Sequence, residues 1–60
     1  MTPEEFAERV RHELTRRGGH FDPANVLRFV RSAWPRVAAD PDVARWASEF
    51  LDKTPTDLGV

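Results

Sequence analysis

Acid–base chemistry near neutral pH would have to run through His12 or His20, and hydroxyl attack through Ser32, Ser48 or one of the Thr residues beyond the first helical turn. None of these stands in a motif that couples a nucleophile to a base. His12 falls on the polar side of the helix its neighbours predict, and His20 falls in a loop. Two spacings suit a metal ion: His20 and Asp22 in "HFD", and Glu8 and His12 one helical turn apart. Structural zinc takes four ligands, mostly Cys and His, and this chain has two His and no Cys. Asp22 is better spent as a helix cap, which leaves His20 alone in a solvated loop. A helical chain of this size also has little room for a ligand cleft of ~300 Å³. No catalysis and no cofactor or metal site are therefore expected.

Arginine and tryptophan offer a different chemistry. Residues 18–39 carry Arg28, Arg31 and Arg36 against Asp22, and Arg16 and Arg17 immediately precede them. Such a cluster is the kind that touches phosphates. Residues 40–60 hold two basic and five acidic residues, so the last helix would repel a nucleic acid. The formal net charge is −1, without the basic excess typical of a small DNA-binding domain. Nucleic-acid association through Arg16, Arg17, Arg28, Arg31 and Arg36 is thus the alternative reading, and nucleic acid is an unexpected partner. Phe29, Trp34 and Trp46 support a protein partner instead, because Trp and Arg are enriched among the residues that dominate interfaces.

Three start signals set the elements that would position these side chains. Each is an oxygen-bearing residue before a proline, which suits the orphan N–H groups of a first turn. In "TPEEF", Thr2 caps, Pro3 begins the helix and Glu5 completes a capping box. Phe6, Val10 and Leu14 then form one apolar stripe with Ala7 at its edge. Glu13 and Arg17 are a favourable pair one turn apart, and Gly18-Gly19 stops the helix. The first helix is predicted over residues 3–17.

In "FDPAN", Asp22 caps, and Phe21 and Val26 are placed as a hydrophobic staple. Val26, Leu27, Val30, Ala33, Trp34 and Val37 share an arc of about 160°, with Phe29 at its edge. Pro35 has no N–H and clashes with the preceding turn. The second helix is predicted over residues 23–34, with a kink or break at Pro35. In "ADPDV", Asp40 is expected to cap a third helix over residues 41–53, with Asp42 in its first turn. Val43, Ala44, Trp46, Ala47, Phe50 and Leu51 fill its apolar arc, also about 160° wide.

The fold class that follows is all-α: a small three-helix bundle over residues 1–54, with 55–60 as a short C-terminal tail. Its expected core is Phe6, Val10, Leu14, Val26, Leu27, Val30, Val43, Ala47, Phe50 and Leu51. Folding 60 residues would bury apolar surface worth about 90 kcal/mol at ~25 cal/mol/Å². Ordering the chain costs about the same at ~1.5 kcal/mol per residue. Without Cys to crosslink it, association is the remaining way to add stability. The arcs on the second and third helices are wider than the stripe of ~100° a surface helix needs. The expected function is therefore a small protein–protein interaction module, a homodimer or an adaptor for a larger protein. No apolar run is long enough for a membrane span, and the first residues do not read as a secretory signal, so a cytoplasmic location and no membrane partner are expected.

Overall fold

The computed structural model describes residues 1–53, and the tail expected at 55–60 lies outside them. Those residues form an all-helical bundle of four elements: α1 (Pro3–Arg16), α2 (Pro23–Ser32), α3 (Trp34–Ala39) and α4 (Val43–Lys53). The helix ends follow from local chemistry. The Thr2 hydroxyl accepts from the Glu5 N–H at 3.1 Å, and the Glu5 carboxylate accepts from the Thr2 N–H at 2.9 Å. At the other end of α1, Gly18 takes φ +77°, where a side chain would be strained. This turn lets Gly18 N–H donate to Thr15 O and Gly19 N–H donate to Leu14 O, satisfying two carbonyls the helix leaves open. Asp22 caps α2 by accepting from Ala24 N–H at 2.9 Å.

Of the kink or break expected at Pro35, the structure has the break, and the residues beyond it form a helix of their own. Ala33 closes α2 by donating to Phe29 O, and its own carbonyl then accepts from Arg36 and Val37 N–H as the start of α3. Pro35 can give nothing back to the preceding turn, so the chain restarts one residue before it, with the proline in the first turn of the new helix. The cap of the last helix differs from the sequence expectation. Asp42, not Asp40, holds that role. Its carboxylate accepts from Arg45 N–H at 3.2 Å, and its carbonyl accepts the first helical bond from Trp46 N–H at 3.0 Å. Asp40 has its acceptors engaged elsewhere: its carbonyl accepts from Asp42 N–H and the Trp46 indole N–H, and its carboxylate pairs with Arg45. Asp42→Ala is therefore expected to cost about 1 kcal/mol, as is Asp22→Ala, with Asp40→Ala costing less. Thermal melts of the three variants check the order.

Helix α1 is the hub. Its buried residues Phe6, Ala7, Val10 and Leu14 meet α2 on one flank and α4 on the other, whereas α2 and α4 barely approach one another along their backbones. Arg31 of α2 reaches Glu4 at the start of α1 at 2.5 Å, and Arg17 at the end of α1 reaches Ala44 O and Ser48 Oγ of α4, each at 3.0 Å. Both flanking helices thus run antiparallel to α1 and parallel to each other. Parallel neighbours need a return path, which α3 and residues 40–42 supply.

The core contains Phe6, Ala7, Val10, Leu14, Val26, Val30, Ala33, Val37, Trp46, Ala47 and Phe50, and among the described residues no polar or charged residue is buried with them. Leu27, Val43 and Leu51, expected inside, are only partly buried. Val43 opens α4 and Leu51 lies near its end, where no further helix covers them. Leu27 lies on the outer flank of α2, beside Ala7 and Glu8. The break at Pro35 compensates by carrying Val37 inside, fully buried.

Surface carboxylates tie the elements. Glu13 accepts from Arg16 and Arg17, whose hydrogen bonds hold its pKa below 4.5. Arg31 does the same for Glu4, and the Thr2 backbone N–H does so for Glu5. A carboxylate with a lowered folded-state pKa stabilises the fold above its unfolded value and loses that contribution as pH falls through the folded one. The melting temperature is expected to drop as pH is lowered below 4.5. Glu13→Gln should flatten that slope, which melts in a pH series would show.

Candidate interaction surface

Since α2 and α4 do not meet along their backbones, side chains close the gap between them, and these are aromatic. Phe29 of α2 lies 5.6 Å from Phe50 and 6.3 Å from Trp46, centroid to centroid, with the rings inclined at 70° and 57°. Inclined pairs at such spacing add attraction beyond the area they bury. Trp46 is 5% exposed. Its indole N–H donates to Asp40 O at 2.6 Å, and the Arg45 guanidinium lies 5.3 Å from its ring centroid while pairing with the Asp40 carboxylate. Trp46 is therefore a core residue with its polar atom satisfied, a correction to its expected place on a contact surface. Its position at the edge of the apolar arc did not disclose this, because the acceptor comes from the connection after α3. Phe29 is partly buried. Trp34, also partly buried, belongs to a separate edge-to-face pair with Phe6 at 6.4 Å.

The five arginines of the nucleic-acid alternative are not brought together. Arg16 and Arg17 stand at the C-terminal end of α1, paired with Glu13. Arg31 stands at the opposite end, on Glu4. Arg28 donates to the Asn25 side chain at 2.9 Å. Arg36 projects from α3 and pairs with no carboxylate among the described residues. Three of the five already face a carboxylate, which lowers their value to a phosphate.

Of the residues weighed for chemistry, Glu8 and His12 line one depression on α1, and the others lie apart. His12 is exposed on α1 and His20 is exposed in the loop before α2. The Ser32 and Ser48 hydroxyls donate back to Phe29 O and Ala44 O of their own helices. Among the described residues, no three His, Asp or Glu converge as metal ligands.

What the fold does assemble is an open cleft with α4 on one side and α2 and α3 on the other. Phe29 divides it. Between α3 and α4, the depression is lined by Phe29 and Trp46, with Arg36, Arg45, Lys53, Asp40 and Glu49 around them. Between α2 and α4, a second and more apolar depression is lined by Phe29, Phe50, Asn25, Arg28 and Ser32. The fold and this surface define a class: a small all-α bundle bearing one aromatic-floored, charge-rimmed cleft. Set against family models, curated proteins and solved structures, the chain matches none of them. No helix among the described residues is long and apolar enough to cross a membrane.

Proposed function

We propose that this chain is a small helical interaction module, without catalysis, that works in the cytoplasm by holding a protein segment in the cleft between α4 and the α2–α3 arm. The segment comes from another protein or from a second copy of the chain. The observation that carries the reading is Phe29. It is the partly open apolar residue shared by two adjoining depressions, with a fixed aromatic wall behind it. Of the other partly buried apolar residues, Leu27 lies beside α1, Trp34 rests on Phe6, Leu51 lies near the end of α4, and Phe21 and Val43 share a depression with Pro23 that has no aromatic ring pair behind it among the described residues. A rigid aromatic anchor with a charged rim is the anatomy of a small recognition surface.

Sedimentation and thermal melting over about a hundredfold range of concentration separate the two sources, because association makes folding depend on mass action. A doubled mass with a rising melting temperature marks the second copy. The exposed substitutions Ser32→Glu and Arg36→Glu should then return the chain to a monomer without unfolding it. A doubled mass that survives both would place the contact elsewhere and overturn the cleft. A monomer throughout leaves a foreign segment as the occupant.

A further inference from the structure

The charge around the cleft identifies the occupant. Four cations line the two depressions, Arg28, Arg36, Arg45 and Lys53, against two carboxylates, Asp40 and Glu49. Two positive charges are in excess there, on a chain whose net charge is −1. Asp40 is engaged by Arg45, while Arg36 pairs with no carboxylate among the described residues. The floor between these cations is apolar and aromatic, formed by Phe29, Trp46 and Phe50.

From this juxtaposition we propose that the cleft receives an acidic amphipathic helix of another protein, its apolar face against Phe29 and its carboxylates toward Arg28, Arg36 and Lys53. The inference rests on the interaction-module reading above and narrows it to one partner chemistry. Helix-in-groove recognition places side chains one turn apart on an apolar floor, and a rim of one charge selects the opposite charge on the flanks. A second copy would bring the same basic rim onto itself, opposing like charges. Single-stranded nucleic acid also uses basic grooves with aromatic floors, but its bases stack on open ring faces. Here Trp46 and Phe50 are 5% and 3% exposed. Neither offers such a face.

Two synthetic amphipathic helices of roughly 16 residues test the proposal, with Leu at i, i+3, i+4 and i+7 on one face. One carries Glu flanks, and its twin carries Lys flanks. Titrated into the full chain at low salt, the Glu-flanked peptide should shift the tryptophan fluorescence and bind at least about tenfold more tightly than its twin. Salt should weaken it, as should Arg36→Glu with Lys53→Glu, two exposed substitutions that leave the helices folded. Equal or tighter binding of the Lys-flanked peptide overturns the proposal and keeps the module. A doubled mass abolished by the same two substitutions also overturns it, in favour of a second copy. Saturable binding of oligothymidylate in place of the peptide overturns it in favour of nucleic acid. If neither peptide binds and the chain stays monomeric, both the proposal and the module reading fall.

Discussion

Trp46→Ala is expected to remove about a third or more of the chain's stability. A chain of this length has roughly 3–9 kcal/mol of stability in total, at ~0.05–0.15 kcal/mol per residue. Truncating a buried Trp costs about 3–5 kcal/mol. The loss here goes beyond the cavity, because Trp46 backs Phe29, accepts the Arg45 guanidinium against its ring, and ties α4 to the connection after α3 through Asp40 O. Trp46→Phe separates these contributions. It keeps an aromatic ring and removes the indole N–H, for which about 0.5–1.5 kcal/mol is expected. Urea denaturation followed by circular dichroism gives both values. A Trp46→Ala chain with an unchanged midpoint would put that ring on the surface and remove the fixed wall of the cleft.

Leu14→Ala should lose about 2–5 kcal/mol. Leu14 is fully buried on α1, the helix that both α2 and α4 use as their support. Its carbonyl also receives the Gly19 N–H that closes the helix. Neither neighbour can move in to fill the space without losing its own contact with α1. The side chain's removal is thus felt on both flanks. Denaturant midpoints again provide the check, and a cooperative transition at the original midpoint would mean the core is organised around another residue.

Much of this fold was legible because its start and stop signals are local. Thr2 with Glu5, Asp22 with Pro23, and Gly18-Gly19 each act within a few residues, so composition and spacing suffice. The "ADPDV" stretch was misread for a reason internal to it. Both Asp40 and Asp42 precede a plausible first turn, and what decides between them is that the Asp40 carbonyl and carboxylate are taken by Asp42 N–H, the Trp46 indole and Arg45 as the chain leaves α3. That in turn depends on α3 existing as a separate helix, which Pro35 allowed but did not require. The apolar arcs hold most of the core, including Ala33 and Val37, which the expected core omits, but they also take in Ala44, which is exposed.

The candidate site was less legible than the fold. The arcs on the second and third helices offer Phe29 and Trp46 alike, and the structure does bring them together, but Phe29 stays partly open while Trp46 is buried behind it. Arc width alone cannot divide these roles, because an edge on a helical wheel becomes inside or outside only when the neighbouring element is placed. The same holds for the arginines. The pairing of Arg17 with Glu13 follows from spacing, but its bonds to Ala44 O and Ser48 Oγ, and that of Arg31 to Glu4, need the neighbouring helices in place. Arg45 and Lys53 line the same depression as Phe29 only because α3 and α4 are placed side by side.

The hub arrangement of α1 has a further consequence, for how the native chain opens. Amides at Val10 and Leu14 sit in a helix clamped from two sides, so they should exchange with deuterium only when the whole molecule unfolds. The α3 segment is six residues long, buries only Val37 fully, and begins on Ala33, a capping residue it shares with α2. It should open on its own, exposing the amides of Val37 to Ala39 in a sub-global step while α1 stays protected. Because α3 forms one wall of the cleft, that step would widen the groove beside Phe29. The entrance and the least protected element of the molecule would then be the same six residues.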